Sequence, residues 1–317
     1  MKKLNGIITA QQFNGADIET IFSIAATMKA GNFDARMLDG KIMVSLFYEP
    51  STRTRLSHEM AMLKLGGNVI GTENAREFSS TVKGETLEDT MQIVSGYGPD
   101  VIVLRYHEKG GAERAQNYSS VPIINAGDGT GQHPTQALLD LFTIKQEFWK
   151  IEDLNIVLAG DLANGRTVRS LCYFFAKHFS KNRIYLVSPE QTRMGDDVKD
   201  YLKKYGVQFF ELTELDSILP VADVVYQTRV QKERFVDNPK LYEEVIRASE
   251  KLIITPKTLA RMKKKSIIMH PLPRVNEIDR AIDVDHRAAY FRQAQNGLYV
   301  RMALLKMIIV GYQNGND

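Results

Sequence analysis

The chain has 317 residues, 44% of them hydrophobic and 25% charged, which excludes a disordered or low-complexity chain and supplies enough apolar material for two ordinary cores. Lys and Arg number 41 against 38 Asp and Glu, a net charge of only +3, so nucleic-acid binding on bulk charge is excluded and basic character must be local. The single cysteine excludes an internal disulfide and a cysteine-based zinc site; Cys172, in the run Leu171–Phe175, is expected to be a buried small hydrophobe.

Lys2 and Lys3 are followed by no apolar run, and no stretch approaches a membrane span, so neither a secretory signal nor a membrane segment is expected; a cytoplasmic location is. A strand is predicted over Ile42–Tyr48, then Glu49 and Pro50, then a helix over Thr52–Leu65 with Ser51 as its N-cap and Gly66-Gly67 as its end. The polar stretch Glu73–Glu85 is long for a connection, as lids are. Its Lys83 is either a charge that enters a site or a solvated surface lysine. Thr86-Leu87-Glu88-Asp89 then resembles a capping box that opens a helix over Thr86–Ser95. Strands follow at Val101–Leu104, with Arg105 directly after it, and at Val121–Ala126. The next run, Gly127-Asp128-Gly129-Thr130-Gly131, lacks the third glycine of a dinucleotide-binding fingerprint, since Gln132 stands in its place. His133 precedes Pro134, a good first residue for a helix over Pro134–Lys145. It is either a donor to a substrate carbonyl or a satisfied structural histidine.

A break falls at Phe148–Asp153. Beyond it strands are predicted at Ile156–Gly160, Ile184–Val187, Val224–Tyr226 and Ser266–Met269, with a helix at Val168–His178 and a long closing helix within Ala288–Val310. The strands are continuous apolar runs rather than alternating ones, as parallel strands buried on both faces are. The fold class is therefore α/β, with two domains, each a parallel β-sheet flanked by helices, and an active site in the cleft between them. The domains are expected at 1–149 and 150–287, with 288–317 packing back on the first.

Ligands of such sheets bind at the carboxyl ends of the strands. Ser51, Thr52, Arg53 and Thr54 stand at one such end, with hydroxyls, free helix N–H groups and a fixed positive charge; they form either a phosphate-type anion site or an ordinary capped helix with solvated arginines. Arg105, Arg166 and Arg229 stand past three other strand ends, the last followed by Gln231. Together the arginines form a poly-anion site, and with no acidic cluster for a metal they predict transfer chemistry on anionic small molecules without metal or cofactor. His270-Pro271-Leu272-Pro273-Arg274, with two prolines around one leucine, is a constrained turn in which a cis bond is allowed.

Ser51-Thr52-Arg53-Thr54-Arg55, His133-Pro134-Thr135-Gln136 and His270-Pro271-Leu272-Pro273-Arg274 resemble, in order, the signature segments of the aspartate/ornithine carbamoyltransferases. Gly160-Asp161, Thr228–Arg234 and Tyr290–Ala294 extend the resemblance over essentially the whole chain. Thr135, Pro271 and Lys83-Gly84-Glu85-Thr86 place it with the aspartate branch rather than the ornithine branch. The resemblance implies a transferase that carries the carbamoyl group of carbamoyl phosphate to L-aspartate in pyrimidine synthesis. It implies that Ser51, Thr52, Arg53 and Thr54 hold the phosphate and that Arg105 contacts phosphate and carbonyl oxygen. His133 and Thr54 would polarise that carbonyl, and Gln136 would bind the carbamoyl amide. By the same resemblance Arg166, Arg229 and Gln231 bind the aspartate carboxylates, and the turn at Pro271 and Leu272 orients the reacting groups through the Leu272 carbonyl. Ser79 and Lys83 would come from a neighbouring subunit of a homotrimer, Lys83 reaching aspartate. Glu49, Arg166 and Arg234 would form an interdomain ion-pair set. Regulatory chains or other pyrimidine enzymes are possible further partners. Two positions depart from the family pattern, Gly131 and Asn276.

Overall fold

The structure, a computed structural model, describes residues 2–75, 84–231 and 235–312. It divides into two units. The first comprises residues 1–142 and 294–317, and the second comprises residues 143–293.

The first unit holds strands β1 (Ile42–Phe47), β2 (Asn68–Glu73), β3 (Val101–Tyr106) and β4 (Ile123–Asp128) in the order β2-β1-β3-β4, all neighbours parallel. Helices α1 (Gly15–Lys29), α2 (Thr52–Lys64), α3 (Leu87–Gly96) and α4 (Gly111–Tyr118) connect or flank them. β3 and β4 are almost wholly buried, as their apolar runs require. β2 is an edge strand with four of its six residues exposed, and for that reason its sequence carries no continuous apolar run. The opposite edge, β4, stays buried because the N-terminal segment covers it: Ile7 N–H donates to the Ile123 carbonyl, and Asn125 N–H donates to the Ile7 carbonyl, each at 2.7 Å. Helix α5 (Pro134–Phe148) follows β4; its residues up to Phe142 belong to the first unit and those from Thr143 on to the second.

The second unit is a five-stranded parallel sheet in the order β7-β6-β5-β8-β9. Its strands are β5 (Asn155–Ala159), β6 (Arg183–Val187), β7 (Gln208–Leu212), β8 (Val224–Gln227) and β9 (Ile267–Met269). The edge strand β7 is again half-exposed. Helices α6 (Arg166–His178), α7 (Asp196–Lys204), α8 (Pro239–Ser249) and the short α9 (Pro256–Leu259) belong to this unit. Nine consecutive residues of α6, Val168–Ala176, are buried, and Cys172 among them is fully buried, so desolvation pushes its thiol up to about 12.

Helix α10 (Tyr290–Ile309) begins in the second unit, and its remainder, from Ala294 on, belongs to the first. There Leu4 N–H donates to the Met307 carbonyl at 3.2 Å, and Lys2 and Tyr312 exchange backbone hydrogen bonds of 3.0 and 2.8 Å. Asp17 on α1 accepts from Lys2 Nζ at 2.9 Å and from the Tyr312 hydroxyl at 2.8 Å, tying both chain ends to one helix.

Candidate functional site

In each sheet the strand order reverses at one place: between β1 and β3 in the first unit, and between β5 and β8 in the second. The carboxyl ends flanking such a reversal diverge and leave a crevice for ligand. Arginine-bearing segments follow β1, β5 and β8, and Arg105 stands at the end of β3 itself.

In the first unit, β1 ends at Phe47 and α2 opens at Thr52 with Ser51 in the N-cap place. Its hydroxyl makes no capping bond, contrary to the favourable cap expected from sequence, and its extended backbone (φ −160°, ψ 90°) leads straight into the first turn. The first-turn N–H groups therefore lack that internal acceptor, as suits an anion. Thr52 and Arg53 are exposed, whereas Thr54 is buried and its Oγ1 lies 3.4 Å from His133 Nε2. The Thr135 hydroxyl stands 3.4 Å from the other His133 nitrogen, and the His133 carbonyl accepts the first helical bonds of α5, from Gln136 and Ala137. Arg105 lies within β3 rather than beyond it, because the parallel pairing with β1 continues to Phe47–Arg105. Its Nη1 donates to the Ala126 carbonyl at 3.4 Å, and its Nε lies 3.3 Å from Glu49 Oε2. Thr54 and His133 are thus brought together, Arg105 is anchored to β4, and Gln136 follows one turn after His133.

Behind this cluster stand groups that sequence reading missed. His58 Nδ1 donates to the Thr54 carbonyl at 2.8 Å, fixing the turn that carries the Thr54 hydroxyl. Complete burial and the nearby Arg301 charge hold His58 well below the usual imidazole range, so it is neutral. Gln136 Nε2 donates to Asp140. The four-residue spacing of Thr54 and His58, and of Gln136 and Asp140, was the available signal. Gly131 leaves no room for a side chain, since a Cβ there would meet Asp128 Oδ1 at 2.6 Å.

In the second unit Gly160, at φ +110°, turns the chain off β5 towards Asp161, which holds the Asn164 backbone and side-chain N–H groups at 3.1 Å. Arg166 is the first residue of α6. Thr228 bonds to the Ala159 carbonyl through its N–H at 2.8 Å and its hydroxyl at 2.9 Å, which places Arg229 just past the β5–β8 pair. Gln231 Nε2 donates to the Asn164 carbonyl at 3.1 Å, joining the two loops. The turn after β9 contains a cis Leu272–Pro273 bond, with Leu272 at φ +55°. Buried His270 fixes it: Nδ1 accepts from Leu272 N–H at 2.7 Å, so Nε2 bears the proton and donates to Glu277 at 2.8 Å. Glu277 also accepts from Val275 and Asn276 N–H; burial alone would raise its pKa, but these donors hold it below the usual carboxylate range. Ser79, Lys83 and Arg234 lie outside the described residues.

The aspartate/ornithine carbamoyltransferase carbamoyl-P binding domain matches residues 5–146, and the corresponding Asp/Orn binding domain matches residues 152–308. The chain is 52% identical over 313 residues to aspartate carbamoyltransferase 1, chloroplastic, of Pisum sativum, covering 98% of this chain and 80% of that protein. It is 46% identical to the aspartate carbamoyltransferase catalytic subunit of Methanocella arvoryzae, covering 96% of each. Aspartate transcarbamoylase from Trypanosoma cruzi in complex with carbamoyl phosphate superposes with a TM-score of 0.89 at 39% identity, over 96% of this chain and 95% of that one. Two matched domains in this order, over sheets whose strand ends carry the arginines, place the chain in the aspartate/ornithine carbamoyltransferase family.

Proposed function

We propose that the protein transfers the carbamoyl group of carbamoyl phosphate to the α-amine of L-aspartate, giving N-carbamoyl-L-aspartate and phosphate for pyrimidine synthesis. The observation that carries this reading is the first-unit cluster, in which the helix N-terminus at Ser51–Thr54 and His133 meet through the Thr54 hydroxyl. The phosphate binds on the α2 N–H groups, Ser51, Thr52 and Arg53. Arg105, His133 and Thr54 surround the carbonyl oxygen, and Gln136 accepts from the carbamoyl amide. Arg166, Arg229 and Gln231 take the aspartate carboxylates. The neutral amine forms a C–N bond to the carbonyl carbon, and the negative charge that develops on oxygen falls among donors already in place, which is the largest part of such catalysis. The C–O bond then breaks, phosphate leaves with the electron pair, and the amine proton passes to it. The Leu272 carbonyl, fixed by His270, orients the reacting amines.

A colorimetric ureido assay with a panel of acceptors tests the reading. L-Aspartate is expected to exceed ornithine and monocarboxylic amino acids; higher turnover with either of those overturns it.

We also infer a trimer in which Ser79 and Lys83 complete a neighbour's site. Support comes from an apolar stripe on α2, where Leu56, Met60 and Leu63 are each about half exposed at helical spacing, together with Ile70 on β2, 64% exposed.

A further inference from the structure

Gln136 lies within the first turn of α5, three residues after His133 and only 9% exposed. Its Nε2 donates to Oδ1 of Asp140, one turn further on, at 2.9 Å, and Asp140 is fully buried. An ionised carboxylate can only accept, so the Gln136 amide must turn its NH2 towards Asp140. Its carbonyl oxygen makes no hydrogen bond among the described residues and is not one of the buried unpartnered atoms, so it is accessible to a ligand. Arg301, 3% exposed on α10, is near enough to Asp140 for their charges to interact: burial pulls its guanidinium down to about 10, and the Asp140 charge opposes that fall. Gly297, one turn before Arg301, makes the room, since a Cβ there would meet Arg301 Nη1 at 2.6 Å. The first unit thus devotes a buried carboxylate and a buried guanidinium to the orientation of one amide.

We propose that Asp140 is a positioning residue that locks Gln136 with its carbonyl oxygen towards the substrate, so that the site selects an acyl phosphate bearing an NH2 donor over one bearing a methyl group. This rests on the reading that Gln136 contacts the carbamoyl amide. A free glutamine amide presents oxygen or NH2 with nearly equal ease, and half of those orientations oppose a carbamoyl donor.

Asp140→Asn tests it. The Arg301 charge draws the new carbonyl oxygen, and the new NH2 faces Gln136. Gln136 must then turn its own oxygen inward and present NH2 to the ligand. The KM for carbamoyl phosphate is expected to rise about tenfold, the worth of one hydrogen bond reversed. Competitive inhibition by inorganic phosphate and by acetyl phosphate, neither of which has an amide, should not change. An unaltered KM, or a parallel weakening of all three, overturns the proposal. Gln136→Leu separates the proposal from the reading beneath it. If this variant loses carbamoyl phosphate selectively and Asp140→Asn does not, the positioning role fails while the Gln136 contact stands. If Gln136→Leu has no selective effect, the contact itself fails. Should Asp140→Asn not fold, Asp140→Leu with Arg301→Met removes both buried charges together. A folded double variant that keeps full preference for carbamoyl over acetyl phosphate overturns the proposal, and reduced preference supports it.

Discussion

Gly160→Ala gives the most direct test of how the second unit carries its arginine. Gly160 sits at φ +110°, a region open to glycine, and an alanine there carries backbone strain of about 1–3 kcal/mol. The added Cβ would stand 2.2 Å from the Thr228 carbonyl oxygen and 2.6 Å from its hydroxyl. The first distance is roughly 1 Å inside ordinary contact, and relieving such an overlap costs about 1–3 kcal/mol more. The nearer of these atoms is backbone rather than a flexible side-chain tip, so the ends of β5 and β8 must part and both Thr228 bonds to Ala159 must lengthen. A total near 4 kcal/mol lowers the melting temperature by about 8–16 °C for a unit of this size. Arg229 moves with Thr228, and a displacement of about 1 Å in a substrate-positioning group can cost ~100-fold in kcat/KM. The loss should appear in kcat/KM for aspartate, with the KM for carbamoyl phosphate unchanged, because the residues assigned to that substrate lie in the first unit. Calorimetry and initial-rate kinetics read the two effects separately. An unchanged melting temperature with unchanged aspartate kinetics refutes the steric reasoning. An equal rise in both KM values refutes the assignment of this strand end to aspartate.

Two further expectations follow from other parts of the molecule. Burial alone would raise the Asp17 pKa, but Lys2, the Tyr312 hydroxyl and Asn14 N–H outweigh it and hold the carboxyl below its usual range. The folded state therefore binds fewer protons than the unfolded one as pH falls towards the ordinary carboxylate value, and the contribution, complete above that value, is lost as pH drops through the lower folded pKa. Asp17→Asn should destabilise strongly in urea titrations at neutral pH and progressively less in acid; a difference that stays constant argues against the ion pair. Mixing chains carrying Lys83→Ala with chains carrying Arg53→Ala should restore part of the activity if sites are shared, and no recovery in verified mixed trimers removes that claim.

The strands that could be read in the sequence are those buried on both faces: β1, β3, β4, β5, β6, β8 and β9 each carry an apolar run. β2 and β7 were invisible because an edge strand with one wet side has no such run, and its hydrogen bonds, which define it, involve only backbone. The arginines were legible because a charge just after an apolar run is conspicuous. What supports them was not. Glu277 meets His270 across a turn with a cis bond, and Arg301 approaches Asp140 from a helix far along the chain. Contacts of that kind arise from tertiary packing and leave no periodic trace. His58 and Asp140 lay within reach, four residues after Thr54 and Gln136, but a lone histidine or aspartate on a helix is more often a surface residue than a buried support.

The pairing of Lys2 with Tyr312 has a consequence for how the molecule is made and can be altered. The first unit is written in two pieces, with the whole second unit inserted between them, so its core is incomplete until the final helix has been synthesised, whereas the continuous second unit can close earlier. A truncation near the carboxyl end would therefore injure the carbamoyl-phosphate side first. With both ends of the described chain hydrogen-bonded to each other, a short linker could join them and new ends be opened in an exposed loop of the second unit, and such a permuted chain would make the first unit from one uninterrupted segment.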